Sequence, residues 1–245
     1  MKICVAQTGS SKGDIPANIE KHVALIDLAV ANGADAIIFP ELSLTGYEPE
    51  LAADLATQLD DARFAVFQRI SDTSQIVIGV GVPITNELGI CISMILFQPR
   101  QVRQVYAKRY LHPDEDPYFV SGGSYSGLTI NGKKIALAIC YELSVPEHTE
   151  NACTNGATVY IASVAKSVRG IDKALNRLAD IARTYSLPVL MSNCIGQADG
   201  EECAGKTSIW NDKGVVVGQM DVVSEGIVLI DLETQEVAEK VLYKR

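Results

Sequence analysis

The sequence is poor in positive charge, in tryptophan and histidine, and in long apolar runs. Over 245 residues it carries 21 Lys and Arg against 30 Asp and Glu, a formal charge of −9. That balance repels phosphate backbones and anionic bilayer surfaces, so neither nucleic acid nor membrane is an expected partner. The longest apolar stretch, Ile90 to Phe97, falls far short of the ~20 residues needed to span a bilayer. Met1 to Gln7 is too brief for the apolar region of a signal peptide, and a cytoplasmic location is expected. The six cysteines (Cys4, Cys91, Cys140, Cys153, Cys194, Cys203) form no CxxC pair and no Cys/His cluster with metal-ligand spacing. Free thiols in a reducing compartment, and no metal, are therefore expected. Gly122-Gly123 lacks the flanking pattern of a phosphate loop, and no cofactor is expected either.

What is present is a core. Apolar residues make up 47% of the chain, enough for one large domain spanning 1–245. Ile3 to Ala6 reads as a buried strand, and Asp14 as the N-cap of a helix with Pro16 in its first turn. Ile19, Val23, Ile26 and Val30 lie on one face of that helix, Gly33 ends it, and Ala36 to Phe39 is the next strand. Leu51 to Ser71 reads as helix in one or two pieces. Ile76 to Val82, Ile90 to Phe97 and Val102 to Ala107 then read as a three-stranded meander. Tyr110 to Tyr125 is a long loop of the kind that carries function. Asn131-Gly132 predicts a hairpin between Leu128–Ile130 and Lys134–Cys140. Further strands are expected at Thr158 to Ala162, Pro188 to Ser192 and Gly226 to Leu232, with a helix through Ile171, Leu175, Leu178, Ile181 and Tyr185. The alternation indicates layered α/β architecture, two sheets with helices outside.

Three reactive residues each end an apolar strand-like run: Glu41 after Ile37-Ile38-Phe39-Pro40, Lys108 after Val105-Tyr106-Ala107, and Cys140 after Ala136-Leu137-Ala138-Ile139. Ligands in α/β folds bind at the carboxyl ends of strands, so neighbouring strands would bring the three into one pocket. A carboxylate, an ammonium and a thiol are the parts of a covalent route to carbon-nitrogen cleavage. The thiol needs a proton acceptor or a nearby cation. Glu41 can take the proton, while Lys108 and the backbone N–H of Tyr141 can hold a tetrahedral oxyanion. A Cys-His pairing through His148 or His112 is the competing arrangement.

On these residues the sequence resembles the nitrilase superfamily of carbon-nitrogen hydrolases. Phe39-Pro40-Glu41-Leu42, Tyr106-Ala107-Lys108 and Ile139-Cys140-Tyr141-Glu142 match its Glu-Lys-Cys motifs in order and spacing, with Asn193, Gly205, Gly214 and Glu225-Gly226 as downstream landmarks. The resemblance implies a four-layer αββα sandwich of two mixed β-sheets with helices outside. It also implies Glu41 as general base, Lys108 as oxyanion stabiliser, Cys140 as nucleophile and Glu115 as a second, positioning glutamate. Tyr141, Glu142, Ser163 and Val164 flank the expected pocket as candidate substrate-binding residues. The implied substrate is a small linear amide or N-carbamoyl compound, with water as co-substrate, and the implied assembly is a homodimer or larger homo-oligomer. Alternatives are nitrile hydrolysis, glutaminase-like ammonia supply and a non-catalytic binding homologue.

The sequence departs from the family in two places near the expected pocket. Glu142-Leu143-Ser144-Val145-Pro146 lacks the arginine that many members carry, and Val164-Ala165-Lys166 stands where relatives commonly have Trp-Pro. The stretch Pro40 to Tyr47 also resembles the glutaminase domains of glutamine-dependent NAD synthetases.

Overall fold

The computed structural model describes residues 1–123, 125 and 127–243. Ser124, inside the expected Tyr110–Tyr125 loop, and the last two positions of the expected 1–245 domain lie outside the described residues. The chain runs through β1 (Lys2–Gln7), α1 (Ile15–Ala31), β2 (Ala36–Ile38), α2 (Ala52–Leu55), α3 (Ala65–Ser74), β3 (Val77–Asn86), β4 (Gly89–Phe97) and β5 (Gln104–Ala107). After a long connection come β6 (Leu128–Ile130), β7 (Lys133–Ile139), α4 (Pro146–Thr154), β8 (Val159–Ser163), α5 (Ile171–Tyr185) and β9 (Val189–Ser192). The last third is all strand: β10 (Ile195–Ala198), β11 (Glu201–Ala204), β12 (Ser208–Trp210), β13 (Val216–Gln219), β14 (Gly226–Asp231) and β15 (Val237–Val241).

Two mixed sheets result. The first has the order β15-β14-β1-β2-β3-β4-β5 and the second β13-β12-β9-β8-β7-β6. Their centres, β1-β2-β3 and β7-β8-β9, are parallel, and their flanks antiparallel. The sheets face each other through Val5, Ile38, Ile161 and Leu190, all fully buried. A second apolar layer covers the outer face of the first sheet, where Leu25 and Ile26 of α1 and Phe67 of α3 meet Ile37 and Ile78. Ile171, Leu178 and Ile181 bury the inner side of α5. The αββα sandwich implied by the resemblance is the architecture observed. Each such Leu, Ile or Phe contributes about 1.5–3 kcal/mol by leaving water, which is why one-faced helices and two-faced strands sort into these layers.

Several expected elements shift. Asp14 does cap α1, its side chain accepting from Ala17 N at 3.1 Å. Leu51 to Ser71 breaks into short pieces, with 3-10 turns at Pro49–Leu51 and Ala62–Phe64 before α3. The expected strand Val102–Ala107 shortens to Gln104–Ala107, because Arg100 adopts the left-handed turn conformation (φ 58) and Val102 is left exposed. The β10–β11 hairpin and the edge strand β15 add to the expected set. The hairpin also overturns the expectation of six free thiols: Cys194 and Cys203 form a disulfide across it, with Cα atoms 5.6 Å apart. Antiparallel pairing of Gly196 with Cys203 brings the two side chains together.

Candidate active site

Each reacting side chain sits where a strand stops and the backbone turns sharply. After β2 the chain reverses through Leu42, a non-glycine residue at φ 49. Phe39 N donates to Gly79 O and Leu44 N to Gly81 O, both at 2.9 Å, so the turn carrying Glu41 lies directly on β3. A Cβ at position 81 would come within 2.4 Å of both Leu42 N and Pro40 O. Only glycine lets the strand pass under this turn. From the outer side, His22 stacks on Phe39 at 4.1 Å and its Nε2 lies 2.9 Å from Ser43 Oγ.

Lys108 follows β5, its N–H donating to Ile92 O at 2.8 Å and its carbonyl accepting from Gly122 N at 2.7 Å. Cys140 follows β7 and opens a 3-10 helix, Cys140–Ser144, with φ 44. The left-handed conformation costs a non-glycine residue about 1–2 kcal/mol. It turns the chain so abruptly that the thiol stands at the strand end. The Tyr141 N–H falls in the first turn of that helix, where no preceding carbonyl is in place to accept it.

The first sheet brings two of the predicted residues into direct contact and adds a third. Lys108 Nζ donates to Glu41 Oε1 at 2.7 Å and to Glu115 Oε1 at 2.6 Å, with all three residues buried. Glu115 belongs to the 3-10 turn Pro113–Glu115; its Oε2 accepts from His112 N at 2.8 Å and its Oε1 from the Tyr47 hydroxyl at 2.9 Å. Glu41 Oε2 is buried without a hydrogen-bond partner among the described residues. An acceptor left unpaired in this way has a lone pair free to take up a proton.

Burial pushes the Glu41 carboxyl above the ordinary carboxylate range, against the pull of Lys108. Burial opposes the charge on Lys108, but Glu41, Cys140 and Glu115 together hold its ammonium above the ordinary lysine range. Burial and then the Glu41 charge raise the Cys140 thiol, while Lys166 and then Lys108 draw it down. Chemically, the set can supply a nucleophile, a base with a spare oxygen, and a cation held between two carboxylates.

Other candidates are engaged elsewhere. The Glu142 carboxylate accepts from the Tyr106 hydroxyl at 2.6 Å, Arg109 N at 2.7 Å and Ile139 N at 2.8 Å, so it braces the two strand ends instead of facing a substrate. Ser163 Oγ donates to Phe39 O at 2.8 Å, and Val164 is fully buried with its N–H on Ser192 O. Tyr141 is half-buried, edge-on to the His112 ring at 5.2 Å. Of the two histidines in the competing arrangement, His148 Nε2 lies 2.9 Å from the Tyr106 hydroxyl and His112 belongs to the Glu115 turn. Neither pairs with Cys140.

Two residues near the nucleophile have roles that the motif reading did not assign. Tyr47 joins the site through Glu115. Lys166, named only as a departure from Trp-Pro, lies close enough for its charge to draw the Cys140 thiol down. A cavity of about 500 Å³ bordered by Tyr47, Glu50, His112, Asp199 and Ala165 opens above them. Tyr47 and Ala165 also line the small recess that reaches Glu41. Among the described residues, no group of three or more His, Cys, Asp or Glu side chains is arranged to hold a metal ion, and no helix is long and apolar enough to cross a membrane.

Comparison with known proteins gives a consistent result. A family model described as carbon-nitrogen hydrolase matches residues 2–240. The glutamine-dependent NAD(+) synthetase of Aquifex aeolicus (strain VF5) is 26% identical over 252 residues, covering 98% of this chain but 44% of the synthetase. The chain thus spans less than half the length of that relative. The 2-oxoglutaramate amidase of Bacillus subtilis (strain 168) is 26% identical, with 97% of this chain and 92% of the amidase covered. Among solved structures, the NitN amidase of Nesterenkonia sp. AN1 superposes with a TM-score of 0.83 at 23% identity, covering 95% of this chain and 92% of that one. A variant of the same amidase, at 22% identity, carries acrylamide added to its active-site cysteine.

Proposed function

The chain belongs to the carbon-nitrogen hydrolase family, and from that membership we propose that it hydrolyses the carbon-nitrogen bond of a small linear amide or N-carbamoyl compound through a cysteine thioester. The observation that carries this reading is the Lys108 ammonium held by Glu41 and Glu115 at 2.7 and 2.6 Å while the second oxygen of Glu41 is left without a partner.

In the proposed reaction Glu41 takes the Cys140 proton as sulfur attacks the carbonyl carbon. The oxygen takes up the carbonyl electron pair and is held by Lys108 and the Tyr141 N–H, as an oxyanion hole requires. Glu41 returns the proton to nitrogen, the C–N bond breaks, and ammonia or an amine leaves. Water then attacks the thioester, losing its proton to Glu41; the C–S bond breaks with its electron pair going to sulfur, and Glu41 returns the proton to the thiolate. Glu115 holds Lys108 in register together with Glu41.

The likeness to 2-oxoglutaramate amidase over nearly the full length of both chains supports an amide substrate. The likeness to the NAD(+) synthetases favours a second reading, hydrolysis of glutamine to supply ammonia to a partner. Ammonia release across amides, N-carbamoyl compounds, nitriles and glutamine, with Cys140→Ala as blank, separates these. Release from an amide or carbamoyl compound, with the acyl-enzyme seen by intact mass, supports the first reading. Release from glutamine alone supports the second. Silence across the panel would leave a binding homologue. A homodimer or larger assembly in the cytoplasm completes the proposal; light scattering after size-exclusion chromatography and cell fractionation test those two parts.

A further inference from the structure

We propose that the substrate carries a positive charge at the end remote from its scissile bond, and that Glu50, Asp114 and Asp199, on the cavity above the candidate site, select it. The inference rests on the amide chemistry proposed above and narrows its substrate class.

Three separate loops build the cavity of about 500 Å³, and each supplies a carboxylate. Glu50 lies in the 3-10 turn Pro49–Leu51, Asp114 in the 3-10 turn Pro113–Glu115, and Asp199 between β10 and β11. Glu201 of β11 is the fourth acidic residue on the border, and among the described residues no lysine or arginine borders it. The loops are tied to one another. Asp199 N donates to Glu48 Oε1 at 3.4 Å, directly before the turn that holds Glu50, and the Cys194–Cys203 disulfide closes the hairpin that carries Asp199. The Tyr47 hydroxyl donates to Glu115, which joins the Asp114 turn to the chain leading into Glu50.

Cations close by account for only part of this charge. Lys12 pairs with Glu48 at 2.6 Å and Arg169 with Glu201 at 3.2 Å. Asp114 has His112 at 3.3 Å, a partner that counters it only when protonated. Among the described residues, neither Glu50 nor Asp199 forms a salt bridge. Lys166 acts on Cys140 and does not border the cavity. Burial, and then the charges of Glu48 and Glu50, push the Asp199 carboxyl above the ordinary aspartate range against the pull of Lys12. A cation seated among these groups relieves their repulsion. Tyr47 and Tyr118 border the same cavity, and aromatic rings also attract cations.

An independent observation places the other end of the ligand. Tyr47, Ala165 and Ala198 border both this cavity and the recess lined by Glu41. The Glu41 side chain is fully buried, and its Oε2 has no hydrogen-bond partner among the described residues. The unpaired oxygen marks where the reacting end goes, and the carboxylates mark where the charged end goes. An amide ending in a carboxylate meets like charge at the same place. A cleft lined by one sign of charge raises the local concentration of the opposite sign by roughly tenfold or more.

The test compares three amides with the same five-carbon acyl chain: pentanamide, its 5-ammonium derivative and the monoamide of glutaric acid. Values of kcat/KM should rank cation, neutral, anion, with the outer two at least about tenfold apart and the gap narrowing as salt is added. Glu50→Gln combined with Asp199→Asn should close the gap, lowering kcat/KM for the cation and raising it for the anion. Asparagine tolerates the left-handed conformation at position 199 (φ 48), so the hairpin turn is kept. A distorted fold does not move two substrates in opposite directions. An anion turned over as well as the cation overturns the proposal, as does a ratio that the double variant leaves in place. A protein silent on every amide is tested at Cys140 itself, with the cationic 2-aminoethyl and the anionic 2-sulfonatoethyl methanethiosulfonates. Their rates are normalised to those with glutathione, and the labelled residue is identified by peptide mass spectrometry. Faster labelling by the cation, lost in the double variant, keeps the cation selectivity and sinks only the amidase reading; equal or reversed rates sink the selectivity as well.

Discussion

The Tyr106 hydroxyl donates to Glu142 Oε2 at 2.6 Å. Tyr106 stands two residues before Lys108 and Glu142 two residues after Cys140, so one hydrogen bond joins the strand end carrying the cation to the helix carrying the thiol. Arg109 N and Ile139 N donate to the same carboxylate and tie both backbones to it. Tyr106→Phe removes this bond without changing side-chain shape. It should lower stability by about 1–3 kcal/mol, the cost of depriving a buried acceptor of its partner. It should also reduce kcat more than it changes KM, because the misplacement affects the reacting groups and not the substrate pocket. Urea denaturation and steady-state kinetics check both; unchanged kcat would show that the link is only structural.

Cys140→Ala and Glu41→Gln should each cut turnover by at least ~10³-fold in folded protein, since groups that act as a unit fail together. Lys108→Met should match that loss and also destabilise the fold by about 3–5 kcal/mol, because it leaves Glu41 and Glu115 buried without their cation. Turnover and urea melts on the same preparations distinguish the three. A Lys108→Met protein as stable as the other two would contradict the buried ion triad.

Two buried histidines each contribute stability that acid removes. Burial lowers His22 from 6.5 to about 3 and His148 from 6.5 to about 4. The unfolded chain takes up these protons near pH 6.5 while the folded chain refuses them, so their contribution is present above pH 6.5 and is lost as pH falls toward the folded values. Denaturant melts between pH 7 and 4.5 should show stability declining by about 1.4 kcal/mol per pH unit for each histidine. His22→Asn should flatten the slope, and a wild-type profile flat to pH 4.5 would contradict the burial argument.

The Cys194–Cys203 disulfide makes a countable statement. Of six cysteines, Cys4, Cys91, Cys140 and Cys153 are free. Protein denatured without reductant should therefore give four reactive thiols, and six after reduction. Six from the start would mean that the hairpin is held by backbone pairing alone.

Glu41, Lys108 and Cys140 were legible because each ends an apolar run, and a polar residue at that point is conspicuous. Glu115 was legible only through the resemblance. In sequence it is one acid among Asp114, Glu115 and Asp116, and what separates it is that its neighbours are exposed while it is buried against Lys108. Lys166 was not legible as a neighbour of the site, since its charge reaches Cys140 only because β7 and β8 lie side by side. The β10–β11 hairpin escaped for a local reason: Gly196, Gln197, Glu201 and Glu202 are exposed, leaving no apolar alternation to read. β15 escaped because an edge strand with Glu239 and Lys240 facing water resembles a tail. The disulfide was hidden with the hairpin that creates it.

The polar bonds that cross between the two sheets act as a vernier. Ser163 Oγ donates to Phe39 O at 2.8 Å, Ser192 Oγ to Ala6 O at 2.6 Å, and Thr207 N to Gln7 Oε1 at 2.9 Å. Apolar faces packed together have no preferred sliding position, whereas these directional bonds allow only one. A slip of one strand residue, about 3.3 Å, exceeds the length of any hydrogen bond in the site. The register between the sheet end carrying the proposed base and the one carrying the proposed nucleophile is therefore fixed by hydroxyls and amides that take no part in the proposed chemistry.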